Sequence, residues 1–363
     1  MGNIPIKMPA LRINNLELRD KYLARSKEGI PVGEGTICQQ EVVGLYNKRV
    51  GWCGILPVKL ELQKISVVKS ISGNIHFAGM QYCGRNWLCP KCSYKIMKHR
   101  TAEIAERFKY YRSNNEKIFF YTFTLQHNRR QSLKELLGIL LDAYKFARTH
   151  RKFRPYIKLT RFVRTIEIKF GNNGWHPHIH AAFINKDDNK AVEVFKDLYE
   201  QYLKNKGLLV NDYTVKGSEW DGTTEELSEY MLKWELEKEL TGGNEKIGSG
   251  GKTFFEMLKY YHNYISEIEE YIITTKGHKQ YHFSRNFFDK SVKTEEEIVK
   301  ETEEIKEVLF EIPRDVYGKL YYYGLARRFI AWIRQPVPDY EVIRRKLMHK
   351  NIDISWICAE KFP

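Results

Sequence analysis

A turn between two runs with strand periodicity is the feature that most limits how this 363-residue chain can fold. The run 171–174 reads Gly-Asn-Asn-Gly, a dense turn signal. Residues 162–170 before it alternate in polarity as a strand does, and residues 174–184 after it include the apolar segment Ile-His-Ala-Ala-Phe-Ile. The sequence therefore predicts a β-hairpin centred on Asn172 and Asn173.

Three side chains of this hairpin form a candidate metal site. His178 and His180 point to the same face, because side chains alternate along a strand. With the predicted turn, Glu167 falls opposite His178, at about 4.5–5.5 Å between Cβ atoms. Two imidazoles and a carboxylate suit Mg²⁺, Mn²⁺ or another first-row metal with positions open for substrate. The alternative is a surface hairpin whose histidines bind nothing.

A second candidate metal site comes from the cysteines. Cys83, Cys89 and Cys92 form a cluster that contains a Cys-Pro-x-Cys turn, which aims two thiolates at one ion. A structural zinc needs a fourth ligand. The candidates are Cys38, Cys53, His76 and His99. The spacing favours zinc over free thiols or a disulfide. A disulfide is the weaker alternative, because the first residues lack a charged-then-apolar leader.

A tyrosine on a predicted helix over residues 223–236 is the candidate nucleophile. Threonines and glutamates at its start favour a helix. Glu226, Tyr230 and Lys233 are spaced four and three apart and so share one face. Lys233 could hold a phosphate or stabilise the phenolate, and Glu226, or alternatively Glu225 or Glu229, could activate a water.

Tyr230 needs help to act as a nucleophile, because the ordinary pKa of tyrosine is near 10. A metal would polarise a scissile phosphate, and a neighbouring group would take the proton. The alternative is an amphipathic helix whose tyrosine packs in the core and whose charges are solvated.

The charge of the chain indicates a nucleic-acid partner. It has 60 basic and 45 acidic residues, a net charge of +15, a pI of about 9.3 and 13% aromatic residues. A basic excess attracts polyphosphate, and aromatic side chains stack on unpaired bases. The candidate basic patches are Lys98 to Arg100, Arg148 to Arg154, Arg327, Arg328, Arg334, and Arg344 to Lys346.

Four blocks of the chain, in order, resemble the HUH endonucleases, and in particular the single-tyrosine rolling-circle replication initiators of plasmids, phages and archaeal viruses. The blocks are the cysteine cluster, the strand 119–125, the string GWHPHIH at 174–180 with its His-Ile-His core, and the segment 226–233 with Tyr-x-x-Lys. Together they cover about residues 50–290.

This resemblance implies a function. Tyr230, Lys233 and Glu226 would be catalytic, and Glu167, His178 and His180 would hold Mn²⁺ or Mg²⁺. A structural Zn²⁺ would lie on Cys53, Cys83, Cys89 and Cys92, with Cys53 as the fourth ligand because the family often has a cysteine in that setting. The implied reaction is nicking and joining of single-stranded DNA through a 5′-phosphotyrosine.

The implied partners are single-stranded or hairpin origin DNA and a host helicase and polymerase, in the cytoplasm. No transmembrane stretch is present, so no membrane partner is expected. A transposase or relaxase of the same superfamily is the nearest alternative. A non-catalytic zinc-containing DNA-binding regulator and a metallohydrolase that uses water are alternatives of other classes.

The pattern of elements predicts an α+β fold, with an antiparallel sheet of ferredoxin-like type flanked by helices. Helices are expected at 96–111, 132–148 and 190–205, and strands at 119–125 and 213–216. A capping box at Thr294 and an apolar repeat at Ile298, Thr302, Ile305 and Leu309 predict a helix that ends at Pro313.

Four regions are expected along the chain. They are an N-terminal extension (1–40), a β-rich zinc-binding module (41–100), an endonuclease domain (101–290) and a helical basic region (291–363). The run Gly248 to Thr253 looks like a phosphate-binding P-loop, but position 246 is lysine where that motif needs glycine. We therefore expect no ATPase activity.

Overall fold

The computed structural model describes residues 42–59, 63–186, 189–232, 251–288, 292–300, 305–335 and 339–352. The predicted N-terminal extension, Lys233, most of the P-loop-like run, and the cysteines at 38 and 358 lie outside the described residues. Among the described residues, no helix has both the length and the apolar character needed to cross a bilayer.

The described residues form an α+β fold with two antiparallel sheets, as the sequence predicts. The strands are β1 (Lys64–Ser70), β2 (Ile75–Phe77), β3 (Lys117–Phe123), β4 (Arg161–Gly171), β5 (Gly174–Asn185), β6 (Val215–Glu219), β7 (Tyr281–Phe283) and β8 (Ile305–Pro313). The larger sheet has the order β6-β3-β5-β4-β7, and the smaller has the order β2-β1-β8. The long hairpin β4–β5 thus lies inside the larger sheet.

Helices flank both sheets. They are α1 (Lys48–Trp52), α2 (Pro90–Ser113), α3 (Leu133–Thr149), α4 (Lys190–Asn205), α5 (Thr224–Leu232), α6 (Phe254–Lys259), α7 (Ile265–Thr275), α8 (Glu295–Lys300), α9 (Arg314–Tyr322), α10 (Ala326–Ile333) and α11 (Tyr340–Met348). The predictions for α3 and α4 are confirmed within a residue. The predicted helix 96–111 extends to both sides, because Cys89 and Pro90 already form its start.

The hairpin has the register that the turn signal predicts. Gly171 pairs with Gly174, and Glu167 pairs with His178. Gly174 has φ +84°, a backbone conformation that glycine adopts without the cost of a Cβ. The register decides where the histidines lie, because a shift by one residue would turn His178 and His180 to the other face of the sheet.

One face of the larger sheet is covered by α3 and α4. The side chain of Ser132 accepts a hydrogen bond from the backbone of Glu135 and so caps α3. The predicted apolar stripe of α3 is buried, and Tyr144 contacts Phe123 of β3 and Phe195 of α4. The part of this face that packs against α3 and α4 is mainly an apolar core.

The opposite face carries α5, held there by α2. Arg112 of α2 donates hydrogen bonds to the carbonyl oxygens of Trp220 (2.7 Å) and Gly222 (2.6 Å), just before α5 begins. Near the end of α5, Thr165 of β4 donates to the carbonyl oxygen of Met231 at 2.9 Å. Both ends of the described part of α5 are therefore fixed to the framework.

The helix predicted from Thr294 to Pro313 is wrong for residues 305–313, whereas residues 301–304 lie outside the described residues. The capping box of Thr294 and Glu297 forms as predicted, but residues 305–313 are strand β8, paired antiparallel with β1. Phe310 and Ile312 are buried at alternate positions, a period of two. The apolar residues at 298, 305 and 309 fit helical spacing by coincidence, and pairing with a distant strand decides the structure.

The second sheet and helices α9–α11 share a second apolar core. Residues of β1 and β2 thus pack with residues of β8 and of helices α9–α11, although the sequence analysis placed them in separate regions. Arg327 of α10 donates to the carbonyl oxygens of Gly51 (2.5 Å) and Cys53 (3.3 Å), and Arg334 donates to that of Ile75 (2.7 Å). These two arginines of the candidate basic patches therefore bond to the protein itself.

Edge strand β6 approaches β3 closely at Gly217. A Cβ added there would lie 2.0 Å from the carbonyl oxygen of Phe120 and 2.6 Å from Cα of Tyr121. We expect Gly217→Ala to lower the free energy of unfolding by about 3 kcal/mol, the upper range for overpacking. Denaturant titration measures this change.

Gly138→Ala on α3 is the matched control, because a Cβ there meets no atom within 4 Å. It is expected to raise stability by about 0.5–1 kcal/mol, since alanine favours a helix interior over glycine. Equal effects of the two substitutions would contradict the close approach of β6 and β3.

Candidate metal centre and nucleophile

The structure brings Glu167, His178 and His180 together on the face that carries α5. Nε2 of His178 lies 2.5 Å, and Nε2 of His180 lies 3.1 Å, from the same Oε2 of Glu167. All three side chains are buried, and their candidate ligand atoms lie within 4.8 Å of one another. The two imidazoles and the carboxylate thus converge on one point, as a metal site requires.

The charges in this cluster are arranged for a cation. Burial raises the pKa of Glu167, but hydrogen bonds with His178 and His180 outweigh it and hold this pKa well below its usual value. Burial lowers the pKa of His180, so its ring is neutral at pH 7. An ionised carboxylate and a neutral imidazole are the forms that bind metals.

Two side chains of β3 orient His180. Oγ1 of Thr122 lies 2.9 Å from Nδ1 of His180, the nitrogen that faces away from Glu167. The ring of Phe120 stacks on the His180 ring, with centroids 5.8 Å apart and planes at 19°. Sequence reasoning missed both residues, although the register of β3 against β5 places Thr122 opposite His180.

The Thr122 contact supports a prediction about metal affinity. Thr122→Val keeps the shape of the side chain but loses the hydrogen bond to His180. The loss of a hydrogen bond that orients a metal ligand weakens metal binding by about 10–100-fold. Isothermal titration with Mn²⁺ measures the change. Thr124→Val is the control, because Oγ1 of Thr124 is buried without a partner among the described residues. Equal Mn²⁺ affinity of the two variants would contradict the assigned role of Thr122.

Tyr230 lies beside this cluster. Its ring centroid is 5.8 Å from that of His180 and 5.4 Å from that of Phe120, in both cases nearly perpendicular. The side chain is 47% exposed, so a polymer can reach it from solvent. Its neighbours Leu227 and Met231 on α5 are buried and fix the helix against the sheet.

Two of the glutamates predicted to accompany Tyr230 on this helix lie in its first turn. Glu226 accepts a hydrogen bond from the backbone of Thr223 at 3.0 Å, and its own backbone donates to the Thr223 side chain at 3.2 Å. It therefore caps α5 one turn before Tyr230. Glu225 forms an ion pair with Lys109 of α2. Lys233 is outside the described residues.

A lysine that the sequence analysis did not single out lies at the candidate metal centre. Nζ of Lys169 is 3.1 Å from Oε1 of Glu167, the oxygen that the histidines do not share. Its position two residues along β4 puts it on the same face as Glu167. The period-two pattern of the strand was the signal that could have found it.

A further histidine pair continues this row of rings. Nδ1 of His176 lies 2.7 Å from Nε2 of His127, a residue of the loop after β3. Burial and the neighbouring His178 and His127 lower the pKa of His176 to about 4. The His176 ring is therefore neutral at pH 7 and adds no repulsion to a bound cation.

The four cysteines Cys53, Cys83, Cys89 and Cys92 meet in a second, separate cluster. They are buried free thiols whose sulfur atoms lie within 4.8 Å of one another, for example 3.4 Å between Cys53 and Cys92. Backbone N–H groups of Cys83 and Arg85 donate to sulfur atoms of the cluster at 3.5 Å. This crowding matches a tetrahedral zinc, in which sulfurs at about 2.3 Å from the ion are about 3.8 Å apart.

Local structure explains how these cysteines meet. Cys89 is the N-cap of α2 and Cys92 is in its first turn, three residues later, so both sulfurs point to one side. Cys53 ends α1. Hydrogen bonds from the other three cysteines lower the pKa of Cys53, which favours the thiolate that a metal needs. Among the other candidates for a fourth ligand, Cys38 lies outside the described residues, and His76 is on β2.

The P-loop-like run does not precede a phosphate-binding helix of the expected kind. In its described part, Lys252 pairs with Phe170 of β4, and Thr253 caps the six-residue α6 through a capping box with Glu256. The N-terminus of this helix is thus closed by side chains of the chain itself.

Comparison with known proteins gives two distant relatives. The chain is 26% identical over 150 residues to "Protein rep" of Streptomyces lividans, an alignment that covers 33% of each protein. It is 29% identical over 134 residues to "Neomycin resistance protein" of Streptomyces cyanogenus, which covers 29% of this chain and 31% of that protein. The chain thus spans about a third of the length of these curated relatives. No family model and no solved structure matches it. The first similarity confirms the resemblance to Rep proteins.

Proposed function

We propose that this protein is a metal-dependent HUH endonuclease and strand transferase that nicks and joins single-stranded DNA and so initiates rolling-circle replication of a plasmid or viral genome. One observation carries this proposal. The half-exposed ring of Tyr230 lies 5.8 Å from the ring of His180, which shares one carboxylate oxygen with His178. The similarity to "Protein rep" supports it.

The proposed reaction is a transesterification. The Tyr230 hydroxyl oxygen attacks phosphorus and loses its proton, the bond from phosphorus to the 3′ oxygen breaks, and that oxygen leaves as a 3′-hydroxyl. The products are a free 3′ end and a 5′-phosphotyrosine link. Attack by a 3′-hydroxyl on this link reverses the reaction and rejoins DNA, with release of Tyr230.

Each residue of the cluster has a proposed task in this reaction. Glu167, His178 and His180 would hold Mn²⁺ or Mg²⁺, which polarises the scissile phosphate and neutralises developing charge when bound. Phe120 and Thr122 keep His180 in position. Lys169 adds a positive charge on the same face, where a phosphate would lie, a task that the sequence analysis gave to Lys233. Glu226, one turn before Tyr230, remains the proposed activator of a water.

The test is incubation with a panel of labelled single-stranded oligonucleotides, including hairpins, in the presence of Mn²⁺. A cut product and a labelled band of the protein's size on a denaturing gel are expected. Cleavage without an attached band would instead indicate a metallohydrolase. Binding without cleavage would indicate a DNA-binding regulator. A transposase or relaxase would share the adduct and differ in the DNA that it recognises.

The four cysteines are proposed to hold a structural Zn²⁺. Zinc contributes about 10–16 kcal/mol in small zinc domains, so its loss is costly. We expect Cys89→Ser to bind less than one zinc ion per chain and to lose on the order of several kcal/mol of unfolding free energy. Elemental analysis and denaturant titration measure these changes.

Cys38→Ser and Cys358→Ser are the controls for this prediction, because the proposed ligand set does not include them. They should keep one zinc ion per chain. Loss of zinc from the Cys38 variant would contradict the choice of Cys53 as fourth ligand.

A host helicase and a polymerase are the proposed protein partners. The sequence lacks the glycine of a P-loop at Lys246, and the helix after the run is closed by its own capping box. A separate ATP-driven enzyme would therefore open the duplex beyond the nick, and a polymerase would extend the 3′-hydroxyl.

A further inference from the structure

A cluster of basic and polar side chains lies on the face of the larger sheet away from the metal centre. Arg164 of β4 points to this face, because it alternates with Thr165 and Glu167, which point to the other. His282 of β7 is its direct partner across the two strands. Tyr144 and Arg148 lie one turn apart on α3, and the guanidinium carbon of Arg164 is 5.6 Å from the Tyr144 ring.

Three polar atoms of this cluster have no hydrogen-bond partner among the described residues. They are the Tyr144 hydroxyl, Nη1 of Arg164 and Nδ1 of His282, and all three are buried. Tyr144 is only 4% exposed. A buried polar atom without a hydrogen-bond partner costs about 1–3 kcal/mol, and more when it is charged, so three of them in neighbouring residues indicate a missing partner.

The electrostatic potential at this cluster is positive. Burial, Arg164, Arg148 and Lys279 lower the pKa of His282 to about 4. Burial and Arg148 lower the pKa of Arg164, and Tyr144 offsets part of this effect. A cation would be repelled here, whereas an anion would relieve the repulsion between the arginines.

The geometry points to a phosphate-binding site formed by Arg164, Arg148, Tyr144 and His282, separate from the metal centre. A phosphate group supplies several acceptor oxygens and up to two negative charges, and Arg pairs with two of its oxygens at once. Arg148 and His282 are half-buried and Lys279 is exposed, so the site has an opening to solvent.

The phosphate could belong to the DNA backbone or to a small molecule such as a nucleotide or inorganic phosphate. The site is separated from Tyr230 by the thickness of the sheet, so a single phosphate cannot occupy both. The inference therefore does not depend on the proposed nicking activity.

The test compares thermal unfolding of the full chain in sodium phosphate and in sodium chloride of equal ionic strength. For the wild-type protein, the midpoint temperature of unfolding should rise with phosphate concentration and then level off. Arg164→Met should lose most of this rise. Arg148→Met should also reduce this rise. Because Arg148 is a half-exposed helix residue, this variant still tests the site if Arg164→Met does not fold. Arg151→Met, an exposed member of the same basic run, is the matched control and should keep it.

Oligonucleotide binding separates the two sources of phosphate. If the site holds the DNA backbone, Arg164→Met should weaken binding of a labelled single strand about tenfold relative to Arg151→Met. The slope of log affinity against log salt concentration should also fall by about one, the loss of one phosphate contact. If it holds a small phosphate, the thermal shift should vanish while strand binding equals that of the control. The inference is overturned if Arg164→Met and Arg148→Met match Arg151→Met in both measurements.

Discussion

Replacement of Tyr230 by phenylalanine is expected to abolish both nicking and the covalent protein–DNA adduct. The variant keeps the ring, which contacts His180 and Phe120, and loses only the hydroxyl that attacks phosphorus. The rate of cleavage should fall by at least about 10⁴-fold, as for other lost nucleophiles. Binding of single-stranded DNA should change little. A denaturing gel for the adduct and a gel-shift titration measure the two properties.

Tyr213→Phe is the matched control, because Tyr213 is 75% exposed, lies before β6 and is not a member of the three-residue cluster. It should nick at the wild-type rate. Persistent cleavage by the Tyr230 variant would show that the nucleophile is a different group and would remove the main support for the proposed reaction.

Replacement of His178 by alanine is expected to remove the catalytic metal. Its Nε2 is 2.5 Å from the Glu167 oxygen on which both imidazoles converge, so its loss leaves two of three ligands. A metal that stabilises the transition state by about 4 kcal/mol corresponds to about 10³ in rate. Cleavage should fall by at least about that factor, and the high-affinity Mn²⁺ site should disappear from isothermal titration.

His349→Ala is the control for nonspecific loss of imidazole, because His349 is an exposed residue after α11. Circular dichroism should show that the His178 variant is folded. Unchanged Mn²⁺ binding by a folded His178 variant would mean that the three-residue cluster is not the cation site.

The geometry of the candidate metal centre was accessible from the sequence because it depends on local rules. The run 171–174 fixes the turn, the turn fixes the register, and the register puts Glu167 opposite His178. The start of α2 is equally local, because Cys89 and Cys92 share one turn of a helix that begins at Pro90, but the prediction of a helix at 96–111 missed it.

Contacts between distant segments were not accessible in the same way. Phe120 and Thr122 belong to a strand whose order in the sheet depends on long-range pairing, so their contacts with His180 have no signal within their own segment. Strand β8 had a misleading local signal, because a repeat at helical spacing that begins at Ile298 continues into it at Ile305 and Leu309. Its pairing with β1 and the buried Phe310 and Ile312 decide its structure.

The smaller sheet has a consequence for synthesis on the ribosome. Lys64 of β1 and Glu311 of β8 form an ion pair across strands that are 247 residues apart in sequence. At about 5–20 residues per second, β1 leaves the ribosome about 12–50 seconds before its neighbour exists. During this interval one edge of β1, with Val67 and Val68, has no partner and can pair with other nascent chains. Synthesis of β8 ends this exposure, because β8 then occupies the free edge of β1.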